Sequence, residues 1–565
     1  MTNAGGDIAD HRNAEARRVC RYEHLRRYFR QGYAPWRTRN GRITFLTTRP
    51  EHSYHDIVVD RKTFAELLRN RFSEELKYDA TMALADARPD ESARFLSMQP
   101  ASVTPWLFAC CALAVVAAFP RSSIAACILA ATAYFISVAL VRIWLVFLAR
   151  HRPCAAKPKS LEDADLPIVT ILAPLFREAH ALPGLITAIR KLDYPKDKLD
   201  VKLLLEESDG DTRAEAERLG LDGMFDIIVV PQSHPQTKPK ACNYGLSCAH
   251  GDITVIYDAE DEPQPDQLRR AAEIFAGADE RLACIQARLN FYNPEENWLT
   301  RQFTLEYCLW FDHFLPALDR LGAPVPLGGT SNLFRTRILA EIGAWDPYNV
   351  TEDADLGLRL ARRGYRTTVM ESTTLEEANC RLANWTRQRS RWMKGFMQTW
   401  LVNRRSGRTP DWRTRLSLDL FIGGAVFAAL INPVIWFIVL AEHLGGFDPL
   451  GTIFPFAKAV SVGALAFGNL TFLALAAFAP VRRGLSRISA SAIFTPIYWL
   501  LMSFAAWKAL FQLITRPSYW EKTDHGLSEH AKARRDAALD AFGLEHDASD
   551  SQVANKLARD VRRRR

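Results

Sequence analysis

The 565-residue chain has few cysteines and no Cys-x-x-Cys pair. Its ten cysteines are scattered, and three of them, Cys110, Cys111 and Cys127, lie inside apolar runs. This pattern excludes a disulfide scaffold and argues against a zinc ribbon or a thioredoxin-type redox site. The first residues, MTNAGGDIADHRN, contain no apolar stretch, which predicts that there is no signal peptide. Scattered thiols and a polar start both fit a reducing cytosol.

A strong excess of one sign of charge is also lacking. Lys and Arg together number 72 and Asp and Glu 64, so the formal net charge is +8. The basic residues collect beside the apolar runs and at residues 562–565. Diffuse basicity of this kind is more typical of contact with an anionic membrane surface than with nucleic acid. We therefore expect a lipid bilayer as a partner and no nucleic acid.

Long apolar runs are confined to two zones. The first, residues 103–150, holds candidate spans at 105–119 and 124–149 joined by a tight link, which predicts a transmembrane hairpin. The alternative is a buried apolar hairpin in a soluble protein. The second zone, residues 416–515, holds further candidates at 418–440, 460–479 and 490–514.

Five full spans would place the two chain ends on opposite sides of the membrane, yet both ends are expected in the cytoplasm. Basic residues directly after residue 150 and the four terminal arginines indicate this orientation. One candidate is therefore expected not to cross. Residues 490–514, which contain Pro496 and Lys508, would then lie in the interface or re-enter, and residues 105–119 are the other possibility.

Short apolar runs alternate with amphipathic stretches between residues 165 and 402. The runs LPIVTILA, VKLLLE, FDIIVV, ITVIY and LACIQAR read as strands. This alternation predicts a mainly parallel sheet covered by helices on both faces, with ligands at the carboxyl ends of the strands. Residues 1–100 predict a small α+β cytosolic module with a regulatory or docking role, and the alternative there is a solvated basic helix.

Acidic residues follow two of these strands. Asp258, Glu260 and Asp261 come after ITVIY, and their hard oxygens suit Mg²⁺ or Mn²⁺. Glu207 and Asp209 follow VKLLLE and are able to accept hydrogen bonds from a nucleoside. The alternatives are acids favoured before a helix N-terminus in the first case and a solvated turn in the second.

Three further motifs carry possible chemistry. The segment TKPKACN places Lys238 and Lys240 at a predicted helix N-terminus, which is a natural phosphate site. Asp353, in the segment TED, could act as a general base toward a hydroxyl. In QRSRW, Arg391 could bind a diphosphate and Trp392 could stack on a sugar ring. The alternatives are surface lysines, an acidic first helical turn, and a basic interfacial helix.

The order and spacing of these motifs resemble the family 2 membrane glycosyltransferases, relatives of cellulose, curdlan and hyaluronan synthases. The likeness covers about residues 165–525 and includes PLFRE at 174–178, GGTSN at 328–332 and YWEKTDHG at 519–526. The QRSRW form resembles the processive members. The N-terminal module together with the YWEKTDHG tail looks closest to the bacterial XagB-like glycosyltransferases.

The resemblance implies an α/β GT-A domain, a Rossmann-like nucleotide-diphospho-sugar transferase fold, inserted between α-helical transmembrane segments. It implies Asp353 as the catalytic base and Mg²⁺ or Mn²⁺ at Asp258, Glu260 and Asp261. The donor-binding residues would be Glu207, Asp209, Lys240, Asp258 and Arg391. The acceptor-binding residues would be Gln388, Trp392, Thr330 and Ser331. In the cytosolic tail, residues 516–565, the gating residues would be Trp520, Lys522 and Thr523.

The implied reaction is inverting transfer from a UDP-sugar, UDP-glucose or UDP-N-acetylglucosamine, to a growing β-linked polysaccharide. The implied location is the bacterial inner membrane, with the catalytic domain in the cytoplasm and export or regulatory proteins on the N-terminal module. The alternatives are a non-processive transferase acting on a lipid carrier, a non-catalytic nucleotide-sugar-binding scaffold, and a transporter. Glu206 and Glu207 replace the family's usual Asp pair, and Glu260 replaces the second Asp of its Asp-x-Asp. These replacements leave open which acid meets uracil and which is the second metal ligand.

Overall fold

The computed structural model describes residues 19–39, 42–49, 56–96, 118–150, 158–405, 411–445 and 455–544. The N-terminal region contains a three-stranded sheet and four helices. Its strands are β1 (Tyr33–Arg39), β2 (Arg42–Thr47) and β3 (Ile57–Val58). Its helices are α1 (Leu25–Gln31), α2 (Arg61–Arg71), α3 (Ser73–Thr81) and α4 (Ala83–Ala87). Buried Phe64, Leu68, Phe72 and Leu76 recur every four residues and share one core with residues of the larger sheet described next.

An eight-stranded sheet forms the centre of the molecule. In chain order its strands are β4 (Val169–Leu175), β5 (Leu199–Glu206), β6 (Phe225–Val230), β7 (Ile253–Ile256), β8 (Glu262–Pro263), β9 (Leu282–Phe291), β10 (Asn332–Arg335) and β11 (Arg366–Glu376). In space the order is β6-β5-β4-β7-β10-β9-β11-β8. Six strands run in one direction, whereas β10 and β8 run antiparallel to their neighbours. The sheet is therefore mixed, and mainly parallel as expected.

Helices cover this sheet on both faces. They are α6 (Leu182–Arg190), α7 (Gly210–Arg218), α8 (Lys238–Ser247), α9 (Gln267–Gly277), α10 (Trp298–Leu309), α11 (Leu315–Leu321), α12 (Thr336–Glu341), α13 (Glu352–Arg362) and α14 (Leu382–Arg405). Every residue of β5 and β7 is buried, because helices lie on each side of these strands. Strand β5 ends at Glu206, and β7 leads into Asp258. The predicted acids therefore lie at the same edge of the sheet.

Six more α-helices lie in the described residues. Helix α5 (Pro120–Leu148) precedes the eight-stranded sheet, and the others follow it: α15 (Trp412–Arg415), α16 (Gly424–Gly445), α17 (Pro455–Phe478), α18 (Thr495–Thr515) and α19 (Glu529–Ala541). Four helical stretches of the described residues are long and apolar enough to cross a membrane: Ala125–Leu148, Trp412–Phe437, Lys458–Arg483 and Ser486–Thr515. The candidate span at 105–119 falls largely outside the described residues.

Helix α18 lies along α14 for its whole length. Near its start, Tyr498 packs against Trp385 with ring centroids 5.2 Å apart, and just beyond its end the Pro517 carbonyl accepts from Gln398 Nε2 at 3.1 Å. Helix α14 contains four arginines and a lysine between residues 387 and 404, so it cannot lie in hydrocarbon. Both ends of α18 are therefore on the side of the eight-stranded sheet, although its length and composition would allow a span.

The outer face of this region is an unbroken apolar stripe. Its residues recur every three or four positions and are at least 48% exposed: Ile493, Ile497, Leu500, Phe504, Trp507, Phe511 and Ile514. A helix with one polar-packed face and one exposed apolar face is typical of a position in the plane of a membrane interface. The geometry thus favours the interfacial alternative for residues 490–514.

Candidate active site

The centre of the site is an ion pair at the carboxyl edge of the sheet. Asp258 follows β7, and its Oδ1 lies 2.6 Å from Lys238 Nζ at the first residue of α8. Lys238 also donates to the Gly329 carbonyl at 2.6 Å. Burial opposes the charged ammonium, but Asp258 and Glu352 outweigh it, so the pKa of Lys238 is raised. Asp258 and Lys238 thus form an ion pair at the base of the site, and the Gly329 carbonyl also holds Lys238.

Asp353 lies beside this ion pair, in the first turn of α13. Helix α13 is anchored by Arg359, which is fully buried, bonds Asp355 at 2.7 Å and donates to the Ala344 carbonyl at 2.6 Å. A Cβ added at Gly329 would lie 3.4 Å from Asp353 Oδ2 and 3.8 Å from Lys238 Nζ. The absence of a side chain at Gly329 therefore keeps the space above Asp353 open.

Glu352 and Asp353 ionise differently. Burial, and then the charge of Asp353, raise the pKa of Glu352 to about 8. Burial also raises the pKa of Asp353, although the Ala354 amide and Lys238 act against it. Burial and the neighbouring charge therefore favour the protonated form of Glu352, so that Asp353 is the carboxylate of this pair better placed to accept a proton.

The three carboxylates of the acidic loop after β7 have different surroundings. Asp261 is fully buried, and its Oδ2 accepts from the Asp258 amide at 2.8 Å and from the Thr330 hydroxyl. Burial and the neighbouring acids raise the pKa of Asp261. Glu260 instead pairs with His525 Nδ1 at 2.7 Å. Only Asp258 of the three faces the open site with its carboxylate.

A single metal-binding cluster is not preformed. Within the described residues, no group of three or more His, Cys, Asp or Glu side chains is arranged to hold a metal ion. The oxygens of Asp258 are nevertheless hard donors, and Asp261 Oδ1 is buried without a hydrogen bond. Mg²⁺ is commonly held by one or two carboxylates plus substrate phosphates, so this donor set fits such an ion.

The predicted donor-binding residues near β5 make hydrogen bonds or ion pairs with other groups of the protein. Lys240 is 1% exposed and pairs with Glu206 at 2.7 Å, which directs its ammonium away from Asp258. Asp209 caps α7 and accepts from the amides of Thr212 and Arg177. Glu207 is exposed and accepts from the Gln232 amide at 2.9 Å. Lys238, rather than Lys240, is the lysine that this structure brings to the centre of the site.

Arg391 has an unsatisfied guanidinium aimed at the acids. No hydrogen bond or ion pair to Arg391 occurs among the described residues, and its Nε is buried without a partner. Its Cζ lies 4.3 Å from the centroid of the Trp520 ring. Burial lowers the pKa of Arg391, and the charges of Glu352, Asp258 and Asp353 act against that shift. A buried guanidinium without a counter-ion suits an anionic substrate group.

The tail segment 519–528 folds over the site. Lys522 pairs with Glu178, the last residue of PLFRE, and His525 pairs with Glu260. The Ser528 amide donates to Glu377 at 2.6 Å. Thr523 is 2% exposed, and its hydroxyl has no hydrogen-bond partner among the described residues.

Helix α19 fixes the tail to the acidic loop. Arg534 donates to the carbonyls of Glu260 and Asp261 at 2.7 and 2.8 Å. Glu260 outweighs the effect of burial on His525 and raises its pKa to about 9, and His525 in turn lowers the pKa of Glu260 to about 2. An ion pair therefore joins the tail to the acidic loop at neutral pH.

A cavity of about 350 Å³ connects Asp353 with the membrane helices. Trp392, Gly328 and Gly329 line it near Asp353, and side chains from α5, α16, α17 and α18 line it farther away. Gln388 lies outside this lining and accepts from Asn379 at 2.9 Å. Thr330 and Ser331 are at most 1% exposed, because their hydroxyls contact Asp261 and Thr374. Of the predicted acceptor residues, only Trp392 lines the cavity.

Sequence reasoning missed three residues of this region. Glu178 and His525 lie in motifs that were recognised, but their pairing joins distant segments and leaves no local signal. Arg142 of α5 lines the cavity, with its Cζ 4.7 Å from the centroid of the Phe472 ring. A lone arginine inside an apolar run was the available signal for it.

Comparison with known proteins finds that part of this chain is similar to glycosyltransferases. A family model described as glycosyl transferase family group 2 matches residues 253–510. Glucomannan 4-beta-mannosyltransferase 2 of Arabidopsis thaliana is 27% identical over 217 residues, which are 37% of this chain and 40% of that protein. The probable glycosyltransferase YdaM of Bacillus subtilis (strain 168) is 25% identical over 277 residues, 47% of this chain and 66% of that protein.

The solved mannosyltransferase PcManGT from Pyrobaculum calidifontis, in complex with GDP-Man and Mn²⁺, is similar with a TM-score of 0.47 and 20% identity. The likeness covers 70% of this chain and 99% of that one. The chain thus spans 40% and 66% of the length of the two curated relatives above. The family model matches somewhat less than half of the chain, and the matched residues include Asp258, Asp353 and the QRSRW segment.

Proposed function

We propose that this chain is a membrane-embedded inverting glycosyltransferase that transfers a sugar from a UDP-sugar to the growing end of a β-linked polysaccharide. The observation that carries the proposal is the position of Asp353, between the Lys238–Asp258 pair and a cavity that leads to the membrane helices. The catalytic domain would face the cytoplasm of a bacterium, at the inner membrane. Processive elongation, rather than transfer to a lipid carrier, is the form supported by Trp392 in the cavity wall.

Asp353 is proposed to remove the proton from the acceptor hydroxyl. The deprotonated oxygen then forms a bond to the anomeric carbon while the bond to the diphosphate oxygen breaks, with inversion at that carbon. A base with a raised pKa is better matched to a hydroxyl near neutral pH than an ordinary aspartate. Protonated Glu352 lies next to it and adds no second negative charge.

Lys238 and Arg391 are proposed to stabilise the departing nucleoside diphosphate. Both are cations in a buried site, where charge interactions are stronger than in water. Asp258, with the substrate phosphates, would hold Mg²⁺ or Mn²⁺, and that ion would neutralise part of the diphosphate charge. Burial of Glu260 in its pair with His525 argues that Asp258 is the principal protein ligand.

The proposed donor sugar is based on the names of relatives, and the proposed acceptor is based on the cavity. Glucomannan 4-beta-mannosyltransferase is named for a β-linked product and a mannosyl donor, so GDP-mannose belongs beside UDP-glucose and UDP-N-acetylglucosamine in a donor panel. Release of nucleoside diphosphate from each donor, measured on membranes containing the chain, tests the proposal. Release from a UDP-sugar with formation of polymer is the expected result.

Asp353→Asn should abolish transfer, because an amide keeps the shape of the carboxylate but cannot accept the proton. The loss should be about 10²–10⁴-fold, with donor binding nearly unchanged. Glu352→Gln is the matched control, since burial favours the protonated form of Glu352 and glutamine resembles that form. Near-normal turnover in Asp353→Asn, or an equal loss in Glu352→Gln, would remove Asp353 from the mechanism.

A further inference from the structure

A second cavity, of about 410 Å³, lies between the catalytic sheet and the end of α17. It is lined by six polar side chains: Arg288, Asp312, Glu371, Thr373, Arg482 and Arg483. Strands β9 and β11 and the π-helical turn Trp310–Phe314 form one wall. The turn Ala479–Arg483, directly after α17, forms the other. Asp353 and the cavity that leads from it lie elsewhere, so this site is independent of the proposed function.

The two carboxylates compensate the three guanidiniums unequally. Arg483 holds Asp312 through Nε at 2.5 Å and Nη2 at 2.7 Å, and Arg288 Nε lies farther from Asp312, at 3.7 Å from Oδ1. Arg288 and Arg482 share a single oxygen, Oε1 of Glu371, at 3.0 and 3.2 Å. The Glu371 side chain is 47% exposed, so it is able to leave the cavity and be solvated. One positive charge at the cavity therefore has no buried counter-ion.

The position of the cavity indicates where its anion comes from. Arg482 is four residues beyond Phe478, the last residue of α17. Phe478 and Val481 are 42% and 51% exposed, as expected for apolar side chains that face lipid. Arginines at the end of such a helix lie at the depth of phospholipid head groups.

We propose that this cavity binds the phosphate group of an anionic membrane phospholipid. Arg288 and Arg482 donate to the phosphate oxygens, and Glu371 is the carboxylate that the phosphate displaces. Guanidinium groups recognise phosphate through paired N–H donors, and two of them around one tetrahedral anion are a strong arrangement. The bound lipid would hold the turn after α17 against the catalytic sheet.

Binding of short-chain phosphatidylglycerol to the purified full chain in neutral detergent tests this proposal. Arg482→Gln should weaken binding about tenfold, because it removes a charge-assisted contact. Glu371→Gln should strengthen binding several-fold, since it removes the competing charge. Arg487→Gln is the matched control, because Arg487 is an exposed arginine nearby on the same connector but outside the cavity. Its affinity should stay within about twofold of the parent.

Four results would overturn the proposal. Equal weakening in Arg487→Gln and Arg482→Gln would indicate a non-specific surface charge effect. Unchanged affinity in Glu371→Gln would show that Glu371 does not occupy the lipid site. Inorganic phosphate competing as strongly as the lipid, or phosphatidylcholine binding as tightly as phosphatidylglycerol, would assign the cavity to another ligand. None of these measurements uses a donor or depends on sugar transfer.

Discussion

Asp258 is paired with Lys238 in this structure and is also the residue best placed to meet a metal ion and a diphosphate. Its carboxylate has two oxygens 2.6 and 2.7 Å from the same ammonium. Lys238 therefore neutralises Asp258 in the absence of substrate, and it could turn toward a phosphate when a cation takes its place.

Asp258→Ala should weaken binding of a nucleoside diphosphate in the presence of Mg²⁺ or Mn²⁺ by about tenfold or more. Asp258→Asn, which preserves the volume of the side chain, should behave similarly. Calorimetric titration of UDP and GDP, with and without EDTA, measures the effect without any turnover. If EDTA leaves the nucleotide affinity of the parent chain intact, the acidic loop is structural.

Trp392 is the residue on which processivity is argued. Its ring stacks near Tyr307, with centroids 6.4 Å apart, and Arg389 Cζ lies 4.5 Å from its centroid, so its orientation is fixed. Trp392→Ala should cost about 1–3 kcal/mol of acceptor retention if the stack resembles other aromatic platforms. That corresponds to about 5–150-fold weaker retention.

The product of Trp392→Ala should therefore be short, while donor binding persists. Sizing the polymer from equal amounts of membrane-inserted protein measures this. Trp412→Ala is a matched control, because Trp412 is 58% exposed and does not line the cavity. Full-length polymer at a normal rate from Trp392→Ala would contradict the platform role.

Among the elements, the tail segment 519–528 is attached by a titratable ion pair. The pKa of His525 is raised to about 9, above the ordinary value of about 6.5. Its contribution to docking is complete below about pH 6.5 and is lost as pH rises through about 9. Glu260, with its pKa lowered to about 2, contributes above about pH 4.5 and loses that contribution only as pH falls toward 2.

The tail should therefore undock as pH rises through about 9. A nitroxide attached at Tyr519→Cys, where the parent side chain is 46% exposed, reports the mobility of the segment by electron paramagnetic resonance. His525→Gln should remove the transition near pH 9, because the glutamine does not titrate. An identical transition in both chains would assign it to another group.

The position of helix α18 leads to a second prediction at the scale of a single element. Since both of its ends contact the catalytic domain, cysteines introduced at Ser486 and Arg516 should react with an impermeant maleimide from the same side of the membrane. Both parent residues are exposed. A cysteine at Leu444, near the end of α16 and 76% exposed, should react from the opposite side. Labelling of the Ser486 and Arg516 positions from opposite sides would make α18 a span.

At the scale of the whole molecule, the catalytic sheet lies between two groups of helices. The N-terminal region packs on α8 through a shared core, and Arg88 donates to the Ile342 carbonyl at 2.6 Å. On the other side, α5, α16 and α17 supply the walls of the cavity that leads from Asp353. The N-terminal region therefore contacts the same sheet whose carboxyl edge carries Asp258. The match to XagB-like proteins and the partners of this region stay predictions.

Motif order and strand periodicity were sufficient to predict much of this protein. The apolar runs from LPIVTILA to ITVIY became β4 to β7, because continuous β-branched and leucine stretches bury both faces of a strand. Strands β10 and β11 were not predicted. The four residues of β10 are short and antiparallel, and β11 is rich in polar threonine, so neither shows the expected apolar run.

The sequence by itself determined which residue types surround the reaction: acids at strand ends, lysines at a helix start, and an arginine beside a tryptophan. Only the tertiary structure decided which of them meet. Lys238 and Lys240 are two positions apart on one helix and so point to opposite sides, toward Asp258 and Glu206. His525 reaches Glu260, and α18 lies flat against α14, through contacts between segments more than 100 residues apart. Local patterns carry no information about such pairings, because packing of the whole chain sets them.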